Sequence, residues 1–265
     1  MRTLALLATL TATMLLAQQV SAADATIEDL AKKSQNPVAD MISLPLQNNT
    51  TFNWGPQEKT RNVLNIQPVW PIEMTDDWNL ITRTILPVIS QPGVAPGQDR
   101  ENGLGDTTFT AFISPRNPGN LVWGAGPVVL IPTATDDRLG ADAWGLGPSI
   151  VLLTMPGPWV IGSLFSQVWD ISGDTDIDLF SWQYFLNYNF PSGWYLTSAP
   201  IITRNGEADS GERWTVPFGG GAGKVFSIGR QPVNATLQIF YNAEKPRFEG
   251  DWQVRFQWLF LFPQG

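Results

Sequence analysis

From Asn62 onward the chain alternates apolar and polar positions in runs longer than the five or six residues typical of soluble strands. The clearest run sets Phe180, Trp182, Tyr184, Leu186, Tyr188 and Phe190 against Ser181, Gln183, Asn187 and Asn189, interrupted only by Phe185. The last run sets Trp252, Val254, Phe256, Trp258, Phe260 and Phe262 against Gln253, Arg255 and Gln257. Val233, Ala235, Leu237, Ile239 and Tyr241 oppose Asn234, Thr236, Gln238 and Asn242 in the same way. A period of two with unlike faces describes β-strands that separate two media. The pattern predicts twelve strands, near 40–54, 62–73, 78–91, 103–114, 121–132, 144–155, 159–170, 178–190, 194–204, 213–226, 233–243 and 252–262. For 159–170 and 194–204 the facing stays open, because both sides carry apolar residues.

The connections alternate between tight turns, such as 156–158 and 191–193, and longer charged loops, such as 92–102, 133–143 and 205–212. Trp78, Trp123, Trp159 and Trp194 each open a strand after a tight turn, whereas Trp54, Trp144, Trp169, Trp214 and Trp252 adjoin long loops. Two rims of unequal loop length, each with an aromatic girdle, are the marks of an all-β, transmembrane antiparallel β-barrel. A β-sandwich also alternates but has no reason to segregate its loops. Pro68, Pro87, Pro127, Pro148, Pro200 and Pro217 fall inside proposed strands, where each removes a ladder donor, so local bulges are expected there.

Composition narrows the chemistry. Charged residues are 15% of the 265, and the net charge of -8 argues against nucleic acid as a partner. Cys 0 excludes disulfides and thiol catalysis, and His 0 removes the usual base of Ser-His hydrolases. No enzyme activity, catalytic residue, cofactor or metal site is therefore expected. Residues 1–22 read as a secretory signal peptide: Arg2 precedes an apolar run, and Val20-Ser21-Ala22 fits the cleavage pattern. Residues 23–35 follow as a short periplasmic segment, and 36–265 as the barrel. Within Asp24 to Ser34, Ile27, Leu30 and Ala31 share one helical face, which suits a cap at the periplasmic mouth or, equally, a disordered leader.

Four charged residues are lumen-facing candidates: Arg83, Asp106, Lys224 and Arg255. A charge facing lipid at the bilayer midplane costs ~2–4 kcal/mol, so Arg83 should point inward, with Asp106 as its nearest acidic candidate in sequence. Gly124, Gly126, Gly145 and Gly147, with Gly219, Gly221 and Gly223, predict either a hollow lumen wall or a tight bend. The phrase Gly219-Gly-Gly-Ala-Gly-Lys224 lacks phosphate-loop spacing. Asp136-Asp137 and Asp174, Asp176 and Asp178 could offer oxygen ligands to Ca²⁺, or simply form a solvated acidic rim.

Several phrases carry a resemblance: Asn62-Val-Leu-Asn-Ile-Gln-Pro-Val-Trp-Pro71, Trp78-Asn-Leu-Ile-Thr-Arg-Thr84, Gly103-Leu-Gly-Asp106, Pro132-Thr-Ala-Thr-Asp136, Asn187-Tyr-Asn-Phe-Pro-Ser-Gly-Trp-Tyr195 and Arg213-Trp-Thr-Val-Pro217. From about Ala31 to Pro263 the chain resembles Gram-negative outer-membrane barrels grouped with the MetA-pathway of phenol degradation (the phenol meta-cleavage pathway). Relatives are often labelled "transporter" or, by a misnomer, "neuromedin U". The resemblance implies a barrel with a role in uptake, no catalytic residues and no settled substrate. Together with the barrel pattern and the glycine-lined wall it leads to the expectation of an outer-membrane channel or facilitator for small, apolar or aromatic solutes. The alternative is a structural or surface-recognition barrel without transport. Outer-membrane lipid, lipopolysaccharide and the barrel-assembly machinery are the expected partners.

Overall fold

The computed structural model describes residues 27–95, 97–173 and 175–263; the expected signal peptide and Asp174 lie outside them. Among the described residues the chain forms a closed antiparallel barrel of twelve strands preceded by one short helix. Helix α1 is Ile27–Ser34. The strands are β1 Ile42–Trp54, β2 Lys59–Ile66 continued by Val69–Glu73, β3 Trp78–Gln91, β4 Glu101–Leu104 continued by Thr107–Pro115, β5 Leu121–Ile131 and β6 Ala143–Thr154. They continue as β7 Trp159–Gly173, β8 Asp178–Asn189, β9 Trp194–Ser198 continued by Ile201–Asn205, β10 Trp214–Ile228, β11 Gln231–Glu244 and β12 Trp252–Phe262. Each strand pairs with the next, and β12 closes on β1 from Ile42↔Phe262 to Phe52↔Trp252.

Three strands are interrupted, and the interruptions account for three of the six troublesome prolines. The breaks in β2 and β9 fall at Pro68 and Pro200. The break in β4, at Gly105-Asp106, faces Pro87, whose carbonyl accepts from the Gly105 N–H at 2.9 Å. At Pro217 the β10–β11 register shifts, as the expected bulge requires.

Pro127 and Pro148 behave differently: they face each other directly across β5 and β6. Neither can donate, and the ladders on their far sides, toward β4 and β7, skip the positions beside them. On each strand a neighbouring carbonyl lies over the glycine that precedes the proline. A Cβ on Gly126 would sit 1.8 Å from the Ala111 carbonyl oxygen, and one on Gly147 would sit 1.8 Å from that of Gln167. The Gly-Pro phrase thus repeats one arrangement on adjacent strands: a proline without a donor at a gap in the ladder, after a glycine with no room for a Cβ.

The outer surface is apolar between two aromatic rims. Ile150, Leu152, Leu186, Leu196, Leu237, Ile239 and Phe256 stand exposed on it, an expanse that a water-soluble monomer does not tolerate but hydrocarbon does. At the tight-turn rim Trp78 meets Trp123 edge-on at 5.8 Å, and Trp159 meets Tyr188 at 4.8 Å. At the long-loop rim Tyr241 packs on Trp252, and Phe180 on Trp214.

Inside, one apolar cluster spans six adjacent strands. Val38, Ile81, Phe112, Val122, Val151, Leu153, Val160, Leu164 and Phe185 form an apolar core against the β3–β8 wall. The Phe185 that breaks its strand's polar face belongs here, which explains the interruption. The facing of β7 and β9 is also settled. Val160 and Leu164 turn inward while Trp159 and Ile161 face out; in β9, Tyr195 and Thr197 turn inward while Trp194 and Leu196 face out. β7 looked apolar on both sides because the lumen behind it is apolar.

Candidate functional site

Opposite the apolar core, the lumen wall from β8 through β12 and on to β1 is polar. Gln47, Asn49, Asn187, Thr197, Thr236, Gln238 and Arg255 are all buried on it. Between the two walls lies a cavity of about 160 Å³. An engineered apolar cavity of about 150 Å³ accommodates benzene, so the space suits a one-ring guest. Gln67, Arg83, Gln183, Phe185, Thr236 and Arg255 line it, and residues 33–37, with Ala39 and Met41, cover it from the tight-turn side.

That cover is the N-terminal segment. The helical face anticipated from Leu30 and Ala31 packs with Met41 on Tyr195, Val225, Leu259 and Leu261. Ser34 Oγ accepts from Asn234 Nδ2 at 2.9 Å, and the amides of Gln35 and Asn189 exchange hydrogen bonds at 2.8 and 3.1 Å. Val38 crosses to the apolar core. α1 and residues 35–41 therefore stopper the tight-turn mouth.

Two of the four charged candidates line this cavity. Arg83 points inward and donates from Nη2 to Gln67 Oε1 at 2.6 Å. Arg255 is held on several sides: it donates to Asn49 Oδ1 at 3.0 Å and the Ala199 carbonyl at 2.7 Å, and lies 4.8 Å over the Phe240 ring. Gln67, Asn49 and Phe240 were not singled out in the sequence. No charge marks them, although Asn49 and Phe240 sit at inward positions of the alternation.

The other two candidates lie elsewhere. Lys224 is on the outer face, paired in register with Trp194 and 5.2 Å from its ring. Its neighbours Gly223 and Val225 are the buried ones, so the run of glycines hid the phase of β10. There the ammonium reaches the tight-turn rim along an apolar stem, as lysines do at interfaces. Asp106 does not meet Arg83. It accepts from the Ala134 and Ala141 N–H groups at 3.1 and 2.6 Å, stapling the 132–142 loop over the break in β4. Leu139 is buried beneath that loop, beside Gly103 and Gly105.

The glycine wall is not hollow. A Cβ on Gly124 would meet Val38, Phe112 and Val151, and one on Gly223 would strike the Tyr195 ring. Glycine at these places admits close neighbours rather than a solute.

Several acidic residues of the long loops are engaged with cations. Asp178 pairs with Arg204 at 2.9 Å and accepts from Gln167. Arg138 bridges Asp136 and Glu101. Among the described residues no acidic group has the arrangement of a metal site. The Arg138 side chain, then its backbone N–H, hold the Asp136 carboxyl below its ordinary range. A depressed carboxylate stabilises the fold above the ordinary value of about 3.9, and that contribution fades as pH falls through the folded value. Protease cutting of the 132–142 loop should therefore be constant from about pH 5 to about pH 8 and rise only below about pH 4. Cutting that rises near pH 6 would show that another group holds the loop.

The family model described as "Putative MetA-pathway of phenol degradation" matches residues 58–252. No curated protein sequence matches the chain. A solved outer-membrane channel from Pseudomonas putida F1 superposes with a TM-score of 0.66 at 20% identity, over 92% of this chain and all of that one (100%). The CymD monoaromatic hydrocarbon channel gives 0.47 at 9% identity, over 90% of this chain and 91% of the other. A Salmonella typhi outer-membrane phospholipase dimer with bound calcium gives 0.45 at 12%, over 92% and 99%. The first shares the fold; the other two, one a channel and one a hydrolase, are too distant to carry an argument.

Proposed function

The chain belongs to the family of the MetA-pathway of phenol degradation, and on that premise we propose that it is an outer-membrane channel for the passive uptake of small apolar or aromatic solutes. The observation that carries this is the one-ring-sized cavity inside a closed barrel, walled by Phe185 and its apolar neighbours with Arg83 among them on one side, and by amides and Arg255 on the other. A purely structural barrel has no need of unfilled lumen. Nothing in the lumen supplies the base of a Ser-His hydrolase, since the chain has His 0, so it works by selection and passage rather than catalysis. Its outer face meets membrane lipid, with lipopolysaccharide at the long-loop rim and the barrel-assembly machinery as its route to the membrane. The periplasmic side is the stoppered, tight-turn rim.

Two measurements test this. An epitope inserted at Asp136-Asp137 should be labelled on intact cells; labelling only after permeabilisation would invert the topology. Proteoliposomes containing the purified barrel should swell in isosmotic solutions of small solutes and not of large ones. Absence of swelling, both in the full chain and in a variant lacking residues 27–41, would leave the structural alternative.

A further inference from the structure

We propose that the lumen cavity is a binding site for a small organic monoanion, specifically a one-ring carboxylate or a molecule of that chemistry, with Arg83 as its ligand. This rests on the channel reading and names the solute class that the cavity selects.

Charge is the first ground. The protein as a whole carries a net charge of -8, yet the cavity is lined by Arg83, Arg255 and Lys33 and, among the described residues, by no Asp or Glu. A pocket lined by one sign of charge within low-dielectric walls concentrates the opposite ion. The acidic loops do not line it, and of their carboxylates Asp106, Asp136 and Asp178 are taken up by the loop backbone, Arg138 and Arg204 respectively.

The second ground is the difference between the two arginines. A guanidinium has five N–H donors in a planar fork that matches a carboxylate. Arg255 is committed to Asn49, the Ala199 carbonyl, Gln253 and the Phe240 face, so it acts as a fixed positive charge. Arg83 makes a single hydrogen bond among the described residues, to Gln67, and no ion pair. The guanidinium is part-buried rather than sealed off, and a charge-assisted pair with a carboxylate is stronger than a bond to a neutral amide. Gln67 holds the group in place, and the remaining fork faces the cavity.

The third ground is the apolar surface beside Arg83, whose cross-strand neighbour is Val69. Phe185 and Val69 border the cavity and join the apolar core, offering a surface for the body of the guest while its carboxylate meets Arg83. An uncharged hydrocarbon would leave the Arg83 donors unmet. An ammonium compound would be repelled.

The test uses purified full-length barrel in detergent at pH 8, with binding followed by ¹⁹F NMR. The probes are 4-fluorobenzoate, 4-fluorobenzyl alcohol and 4-fluorobenzylammonium, alike in size and different in charge. 4-Fluorobenzoate should bind at least about tenfold more tightly than the alcohol, the scale set by hydrogen bonds to a charged group, and the ammonium should not bind detectably. Arg83→Gln should weaken the acid by about tenfold or more and leave the alcohol unchanged, while Arg83→Lys should recover part of the loss. Mobility shift on boiling checks that both variants remain barrels. Equal binding of acid and alcohol, or an Arg83→Gln barrel that binds the acid as the wild type does, would overturn the site. The channel reading fails separately: an acid that binds through Arg83 but does not cross proteoliposomes leaves the site and removes the channel. Passage that ignores Arg83, without binding, does the reverse.

Discussion

A barrel lacking residues 27–41 is expected to conduct ions severalfold better than the full chain, with its boiling-dependent mobility shift retained. The segment can be removed without touching the ladder, because the β12–β1 seam begins at Ile42↔Phe262. What is lost is the stopper: Leu30, Ala31 and Met41 on Tyr195, Val225, Leu259 and Leu261, and the hydrogen bonds to Asn189 and Asn234. Burying a side chain such as Leu30 or Met41 contributes about 1.5–3 kcal/mol, so together these contacts keep the mouth shut most of the time. Leu30→Asp should act in the same direction and more weakly, since it loosens one anchor and leaves the chain in the way. Planar-bilayer recordings of all three proteins decide the matter. If the deletion conducts no better than the full chain, the barrier is the apolar core around Phe112 and Phe185 instead.

The architecture was legible because membrane strands must solve the same problem at every residue. One face meets hydrocarbon and the other does not, so alternation, girdle tryptophans and loop lengths all report the barrel. The lumen was legible only where it is polar. Arg83 and Arg255 were found because a charge must turn away from lipid, whereas Ile81, Phe112 and Leu153 look like any other apolar residue and only packing reveals that they fill the interior. Lys224 was misplaced for a related reason. A lysine at a rim reaches water along its own stem, so the rule that turns a midplane charge inward does not bind it, and the flanking glycines give no facing signal. Asp106 was the candidate partner of Arg83 by nearness in sequence only, at the far end of its strand. The break in β4 exposes backbone donors of the 132–142 loop to it, and those claim it first. Nor could alternation separate the two readings of the glycines, because an absent side chain is compatible with space and with crowding alike.

The crowding can be tested through the prolines. Gly147→Ala should be among the most damaging single substitutions in the barrel, costing about 3 kcal/mol, the upper end of overpacking, because its methyl would stand against the Gln167 carbonyl. Ala125→Val, on the outward face of β5, changes a lipid-facing volume and should cost little. The expected cause of the crowding lies one residue on: Pro148 is opposite Gln167 across the skipped stretch of the β6–β7 ladder and has no N–H to offer its carbonyl. Pro148→Ala restores that donor, which would draw the carbonyl into the ladder and clear the space beside residue 147. The double variant Gly147→Ala with Pro148→Ala should therefore be more stable than Gly147→Ala alone, with a favourable coupling of about 1–2 kcal/mol, within the range for residues that share one backbone shift. The same cycle at Gly126 and Pro127, against the Ala111 carbonyl, should give the same sign. Urea titration of barrels folded into lipid vesicles, read by the fraction that keeps its unboiled mobility, measures all four corners. Additive costs at both sites would show that glycine and proline serve unrelated purposes here, and that the close carbonyls have some other origin.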